Sequence, residues 1–366
     1  MNTILLTVSG VMDPDVEGMI ARGDRPRTDY IAMARAFRAD LMDYAAARRS
    51  TGWVGKWLEK LGGRNLTLAW ACFRYRKQYR VIFTDGEQVG IPLALLLKLA
   101  NAHARPRHLM IAHVLSTGKK RPFFDWLGVQ SDIDIFFVYA SWQKQFIETH
   151  WKIAPERVIL MPFMVDADFF KPSQVRSTHA LEGLNGQRKP VICAVGLECR
   201  DYPTLNAAVQ GLDVQVVVAA ASPWSKRANI AAKQILPENV ILRKLSLFEL
   251  RQLYAMSQFV VVPLLNVNFQ AGVTTILEAM AMEKAVICSR TVGQTDVVVE
   301  GETGLYVPPG DPAALRAAIV FLLRNPSRAE EMGKKGRLHV EQAMNLDRYV
   351  ARLHAVVRQS NRVSDL

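Results

Sequence analysis

Short apolar runs alternate with helical stretches along this chain, and the pattern starts afresh partway through. Residues 3–9, 39–42, 80–84, 108–113, 133–140 and 157–161 read as strands, with helices at 29–37, 91–102 and 142–150, the last capped by Ser141. A polar stretch, 173–189, follows. Strands then resume at 190–195, 214–219, 239–242, 259–263 and 285–289, with helices at 204–209, 247–257, 276–282, 311–324 and 329–342 and an amphipathic one at 346–359. Neighbouring parallel strands need a crossover about as long as a helix, so this order predicts parallel, doubly wound sheets that take ligands at the C-terminal ends of their strands. With 366 residues there is room for two such units, expected at 1–172 and 190–345, with a linker at 173–189 and a closing helix at 346–366.

Residues 268–310 carry the chemistry. A turn with Gly272, Val273, Thr274 and Thr275 opens an apolar helix. The free amides and positive dipole end of such a helix suit a phosphate or diphosphate. Glu278 stands one turn further in, within reach of the hydroxyls of a ribose joined to that diphosphate. Polar turns at 293–296 and 300–304 follow, the second with glycines where a tight turn needs positive φ.

This block resembles the nucleotide-sugar signature of the family-4 retaining glycosyltransferases, through Glu278-Ala279-Met280-Ala281 and the run TGLYVPPGD at 303–311. The stretch PFMVDADFFKP at 162–172 resembles the hinge that precedes the second domain in that family. The resemblance implies the GT-B fold: two Rossmann-like, doubly wound parallel-sheet domains facing a central cleft, the second binding the donor. It also implies that Gln270, eight residues before Glu278, replaces a Glu that touches the donor sugar. Gly196 matches the glycine of the family turn that clamps the diphosphate. The arginine of that turn is replaced by Leu197, which leaves Arg200 to bind the diphosphate; the alternative is a surface pair with Asp201 or Glu198. A second cation is sought among Lys226, Arg227 and Lys244. In the first domain His113, at a strand end, is expected against donor sugar or acceptor, or as a structural histidine. Asp85 and Glu87 are expected on acceptor hydroxyls, or as helix caps.

The implied reaction is transfer of a hexose, with retention, from a nucleoside-diphosphate sugar to an acceptor hydroxyl. UDP, GDP and ADP are not distinguished. The acceptor is read as a saccharide, plausibly lipid-linked, in glycan biosynthesis. No cofactor or metal is expected; the Asp-x-Asp sequences at 132–134 and 166–168 are read as ends of elements. The rivals are a GT-B nucleotide-sugar epimerase and a non-catalytic sugar-nucleotide or membrane-binding relative.

The net charge of +12 is unevenly spread. Residues 44–80 hold nine Lys or Arg against a single acid, Glu59, with aromatics between them. If helical, the segment puts Trp53 and Trp57 on one face, beside Lys56 and Lys60, with Arg64 following. Such a face suits an anionic membrane surface. It equally describes a solvated helix whose tryptophans fill the core, and less well a single-strand nucleic-acid binder, since no such motif accompanies it. The four scattered cysteines, the lack of a basic leader and the lack of an apolar run of about 18 residues point to a cytoplasmic protein, at most peripheral on the inner face of a membrane.

Overall fold

The computed structural model describes residues 3–100, 105–175, 189–219 and 236–362. The first set of elements is β1 (Ile4–Thr7), α1 (Val16–Arg22), α2 (Asp29–Phe37), β2 (Asp40–Met42), α3 (Tyr44–Tyr75), β3 (Val81–Thr84), α4 (Glu87–Leu99), β4 (Arg107–Ala112), α5 (Arg121–Asp125), β5 (Ile135–Val138), α6 (Ser141–His150) and β6 (Val158–Leu160). The second is β7 (Val191–Val195), α7 (Tyr202–Val209), β8 (Gln215–Ala219), β9 (Val240–Leu242), α8 (Leu247–Met256), β10 (Phe259–Val262), α9 (Val273–Ala281), β11 (Ala285–Ser289), β12 (Gly304–Val307), α10 (Pro312–Arg324), α11 (Pro326–His339) and α12 (Leu346–Arg362). The chain divides into two compact units, one of Met1–Gly18, Arg27–Pro162 and Asp347–Leu366, the other of Met19–Pro26 and Phe163–Leu346.

Each unit holds a six-stranded sheet, and every pairing within the two sheets is parallel. The first runs β2-β1-β3-β4-β5-β6, so the strand order reverses between β1 and β3. The second runs β12-β11-β10-β7-β8-β9 and reverses between β7 and β10. Those two reversals are where a doubly wound sheet opens a crevice at its strand C-termini. Side-chain alternation explains why the strands are apolar throughout. Along β7, Val191, Cys193 and Val195 enter one hydrophobic cluster while Ile192 and Ala194 enter another, so both faces are covered. β10 does the same, with Val260 and Val262 on one side and Phe259 and Val261 on the other.

Several local expectations change. α6 begins at Ser141 itself, with Ala140 in the cap position, so Ser141 is not the N-cap. α4 starts at Glu87 and α9 at Val273, both earlier than their apolar runs suggest, and β12 was not expected at all. The basic segment, α3, is not one continuous helix: its helical stretches are interrupted where Gly52 (φ 58°) and Gly63 (φ 76°) leave helical geometry. Two of its tryptophans do not fill the core, Trp53 being 79% exposed and Trp57 57%, whereas Trp70 is half-buried and stacks on Phe73. Among the described residues no helix is long and apolar enough to cross a membrane.

The far end of α9 is fixed by unusually close packing. A Cβ on Gly333 of α11 would lie 2.0 Å from the Glu283 carbonyl oxygen, and one on Gly336 3.0 Å from Met280 Cγ. One turn on, buried Arg337 donates to the carbonyls of Ala167 (2.9 Å), Phe170 (2.8 Å) and Ala281 (2.8 Å).

Candidate functional site

In the second unit the predicted residues converge at the reversal between β7 and β10. β7 ends at Val195, and Gly196 turns the chain with φ +97°. Opposite, Gly272 opens α9 with φ +77° and offers no side chain to cap it. The Arg200 guanidinium lies against both glycines. A Cβ on Gly196 would sit 2.6 Å from Nη2, and one on Gly272 3.4 Å from Nη1 and 2.8 Å from Val262 Cγ1. Backbone conformation disfavours a side chain at both positions; at Gly272 Val262 also leaves no room, and at Gly196 a Cβ would push the Arg200 guanidinium aside.

Arg200 is held at three points. Nε donates to the Val195 carbonyl (2.9 Å), Nη1 to the Glu198 carbonyl (2.9 Å) and Nη2 to Thr275 Oγ1 (3.0 Å). A guanidinium has five N–H donors, so one remains on each terminal nitrogen, the arrangement that grips two oxygens of one phosphate. The surface pair considered for Arg200 is not formed. Glu198 offers its backbone carbonyl, and Asp201 instead caps α7, accepting from Thr204 N (3.2 Å) and Thr204 Oγ1 (2.7 Å). Tyr202 closes the turn by donating its hydroxyl to the Gly196 carbonyl.

Along α9, Val273 and Thr275 are buried and Thr274 is exposed. Glu278, 8% exposed, accepts a hydrogen bond from Tyr254 Oη (2.7 Å) on α8. Burial pushes its pKa up to about 7, against the opposing effects of that hydrogen bond and of the Arg200 charge. Tyr254 carries no motif and was not anticipated. Gln270 is half-buried in the loop before Gly272, and the turn at 293–294 pins that loop. Gln294 Nε2 donates to the Ala271 carbonyl (2.7 Å), while a Cβ on Gly293 would lie 2.4 Å from the Phe269 backbone. Of the second-cation candidates, Lys244 is exposed after β9, whereas Lys226 and Arg227 lie outside the described residues.

The first unit gathers a separate polar group at its own reversal. Asp85, after β3, accepts from Thr7 Oγ1 (2.7 Å), Ser9 Oγ (2.8 Å) and Ser9 N (2.5 Å), which ties the ends of β1 and β3 together. Burial raises its pKa in spite of these hydrogen bonds. Glu87, 3% exposed, accepts from the amides of His113 (2.9 Å) and Val114 (3.2 Å) and from Lys120 Nζ (2.6 Å). Burial works to raise the Glu87 pKa, yet His113 and Lys120 hold it below the usual range. Neither carboxylate caps α4, whose N-cap is Gly86. His113 is exposed, hydrogen-bonds through Nε2 to the Asp85 carbonyl (3.1 Å) and lies beside the Tyr139 ring. The Asp-x-Asp sequence at 132–134 is occupied by ion pairs with Lys98, Arg105 and Arg107.

Residues 194–325 match the family model described as glycosyl transferases group 1, a span that contains Gly196, Arg200, Gln270, Gly272 and Glu278. The chain is 30% identical over 190 residues to the D-rhamnosyltransferase WbpZ of Pseudomonas aeruginosa, covering 51% of this chain and 49% of that one. It is 35% identical over 82 residues to the lipopolysaccharide core biosynthesis mannosyltransferase LpcC of Rhizobium leguminosarum bv. viciae, covering 22% and 23% of the two chains. It thus spans about half the length of the first of these relatives and less of the second. Among solved structures, Anabaena HepE in complex with UDP superposes with a TM-score of 0.72 at 15% identity, over 98% of this chain and 100% of that one. A glycosyltransferase from Rickettsia africae gives 0.70 at 16% identity, over 98% of each chain. The fold is GT-B, with two Rossmann-like parallel sheets.

Proposed function

We propose that this chain is a glycosyltransferase that moves a hexose from a nucleoside-diphosphate sugar to a saccharide acceptor with retention of configuration. The observation that carries the reading is the Arg200 socket. One guanidinium is fixed between two glycines at the open end of α9, and two of its donors are left for a diphosphate. Leaving-group stabilisation by fixed charge and helix amides is the main protein contribution such a reaction needs. The departing phosphate oxygen takes the acceptor proton, so no separate nucleophile is required. Glu278 takes the ribose, and Gln270 faces the donor sugar. His113, Asp85 and Glu87 serve the acceptor side, the last two by holding the loops after β1, β3 and β4. Incubating the protein with UDP-, GDP- and ADP-sugars and a saccharide acceptor, and reading the product anomer by NMR, tests this. An inverted anomer removes retention, an epimer formed from donor alone replaces transfer by epimerisation, and tight nucleotide binding without turnover leaves a non-catalytic protein.

Gln270→Ala is expected to depress transfer, and Gln270→Glu to change which donor sugar is accepted, read as initial rates across those donors. Equal rates for Gln270→Ala and the wild type would take this residue out of the site.

The acceptor is lipid-linked in our reading, because α3 has the make-up of a membrane-surface element. Trp53, Trp57 and Leu61, each four residues apart, are exposed in one stripe, with Lys56 and Lys60 alongside. Each Lys or Arg near an anionic surface contributes about 1 kcal/mol, over a Debye length of about 8 Å at physiological salt. Co-sedimentation with anionic vesicles is therefore expected at low salt, falling with added salt and in a Lys56→Glu/Lys60→Glu/Arg64→Glu variant. Equal binding to neutral and anionic vesicles would make α3 a solvated face and the acceptor soluble.

A further inference from the structure

The same helix also builds a pocket. Beyond Gly63, α3 lies back on its own middle segment, where Thr67 Oγ1 donates to the Gly55 carbonyl (3.0 Å) and a Cβ on Gly55 would come within 3.2 Å of Thr67 Cγ2. The fold-back leaves a pocket of about 550 Å³ lined by Arg48, Arg49, Lys56 and Arg64, with Glu59 and Tyr44. Glu59 is its one carboxylate, and it is shared between Arg48 (3.6 Å) and Arg64 (3.4 Å). Arg49 and Lys56 have no carboxylate partner among the described residues. Four exposed cations around one carboxylate raise a positive potential in this open pocket, which an anion of charge two or more relieves.

Its position says what kind of anion. Tyr44 N donates to the Gly10 carbonyl (2.9 Å) in the loop after β1, its hydroxyl donates to Asn65 Oδ1 within α3, and Val11 of the same loop lines the pocket. The pocket therefore adjoins the β1/β3 reversal, where this type of sheet takes ligands. On the exposed side of the same helix run Trp53, Trp57 and Leu61. Sugar-binding loops to one side and an apolar stripe to the other suit an anion that joins a saccharide to a lipid.

We propose that this pocket binds the phosphate or diphosphate of the acceptor, the link between its saccharide and its lipid. The assignment rests on the proposed function: on the acceptor-side reading of the β1/β3 loops for its saccharide half and on the membrane-surface reading of α3 for its lipid half.

Calorimetric titration of the full chain with inorganic diphosphate tests the pocket. Diphosphate is expected to bind, to lose about 100-fold in affinity in Arg49→Ala/Lys56→Ala, where two charged hydrogen-bond donors go, and to keep this site in Arg200→Ala. Diphosphate should also slow chemical acylation of Lys56 in the wild type, read by mass spectrometry, which guards against a misfolded variant. Unchanged affinity in the double variant, complete loss in Arg200→Ala, or an unprotected Lys56 would overturn the proposal. Vesicles of phosphatidylcholine carrying phosphatidic acid, or phosphatidylserine at equal charge, identify the source. Preference for the exposed phosphate of phosphatidic acid, lost in the double variant and in Trp53→Ala/Trp57→Ala, supports a lipid-linked ligand. Diphosphate binding in the pocket with no such preference would overturn the lipid half and point to a soluble phosphorylated saccharide. Absence of any vesicle binding would overturn the membrane reading and the lipid half with it, while the diphosphate titration decides the anion site by itself.

Discussion

Replacing Arg200 with alanine is expected to lower kcat by on the order of 100- to 1,000-fold, with a smaller change in donor KM. The reason is where charge grows. In the proposed reaction the ground-state diphosphate is met by the amides of α9 as well as by Arg200, and the extra charge on the departing group falls most on the two remaining donors of Arg200. Arg200→Lys should recover little, because an ammonium cannot hold the carbonyls of Val195 and Glu198 and the Thr275 hydroxyl while still gripping two oxygens. Steady-state rates with saturating donor decide it; a higher KM with unchanged kcat would make Arg200 a binding residue only.

Glu278→Ala is expected to weaken nucleotide binding by about 10–100-fold, the usual effect of losing hydrogen bonds to a charged group. The pH dependence is more diagnostic. With a pKa near 7 the buried carboxyl is largely protonated in mildly acidic solution, and ribose hydroxyls donate best to its ionised form. Affinity should therefore rise as pH increases through 7, and binding near pH 7 should release a proton. Calorimetry in buffers of different ionisation enthalpy would reveal that proton, and Glu278→Gln should abolish it. Stability moves the other way. The folded pKa lies above the ordinary glutamate value of 4.5, so the folded state binds the extra proton between about 4.5 and 7 and loses that advantage as pH rises. Glu278→Gln should accordingly melt higher than wild type above pH 7 and gain least at pH 4. A nucleotide affinity that is flat from pH 6 to 8 would contradict the ribose role.

Both sheets were legible in the sequence because strands buried on two faces must be apolar at every position, and runs such as those at 191–195 and 259–262 have no other economical use. Helix starts were less legible. Glu87 and Val273 open their helices behind glycines, Gly86 and Gly272, so no polar cap marks the boundary. β12 was obscured by its own glycine, Gly304, which is required because a Cβ there would lie 2.2 Å from the Val286 carbonyl oxygen. The residues proposed for the donor side were named from the motifs that carry the family resemblance, after β7 and at the start of α9. Their partners could not. Tyr254 meets Glu278 across 24 residues and Thr7 meets Asp85 across 78, and local pattern carries no trace of such pairings. Nor did the spacing of Lys and Arg in α3 reveal a pocket, since that depends on two glycine bends that composition registers only as weak helix formers.

The glycines of α11 bear on the other end of α9. At about 1.5 Å per residue, this helix is a rod of roughly 13 Å, clamped at its C-terminus by the bare backbone of Gly333 and by the three carbonyls that Arg337 gathers. A rod clamped at one end transmits a small tilt there as a larger sideways displacement of its tip. Rigid mounting of this kind keeps the amides at the tip aimed at a fixed point before any ligand arrives, so little reorientation energy is spent as the leaving group gains charge. Accuracy of aim at the tip is thus set by residues more than fifty positions further along the chain, at the opposite end of the helix.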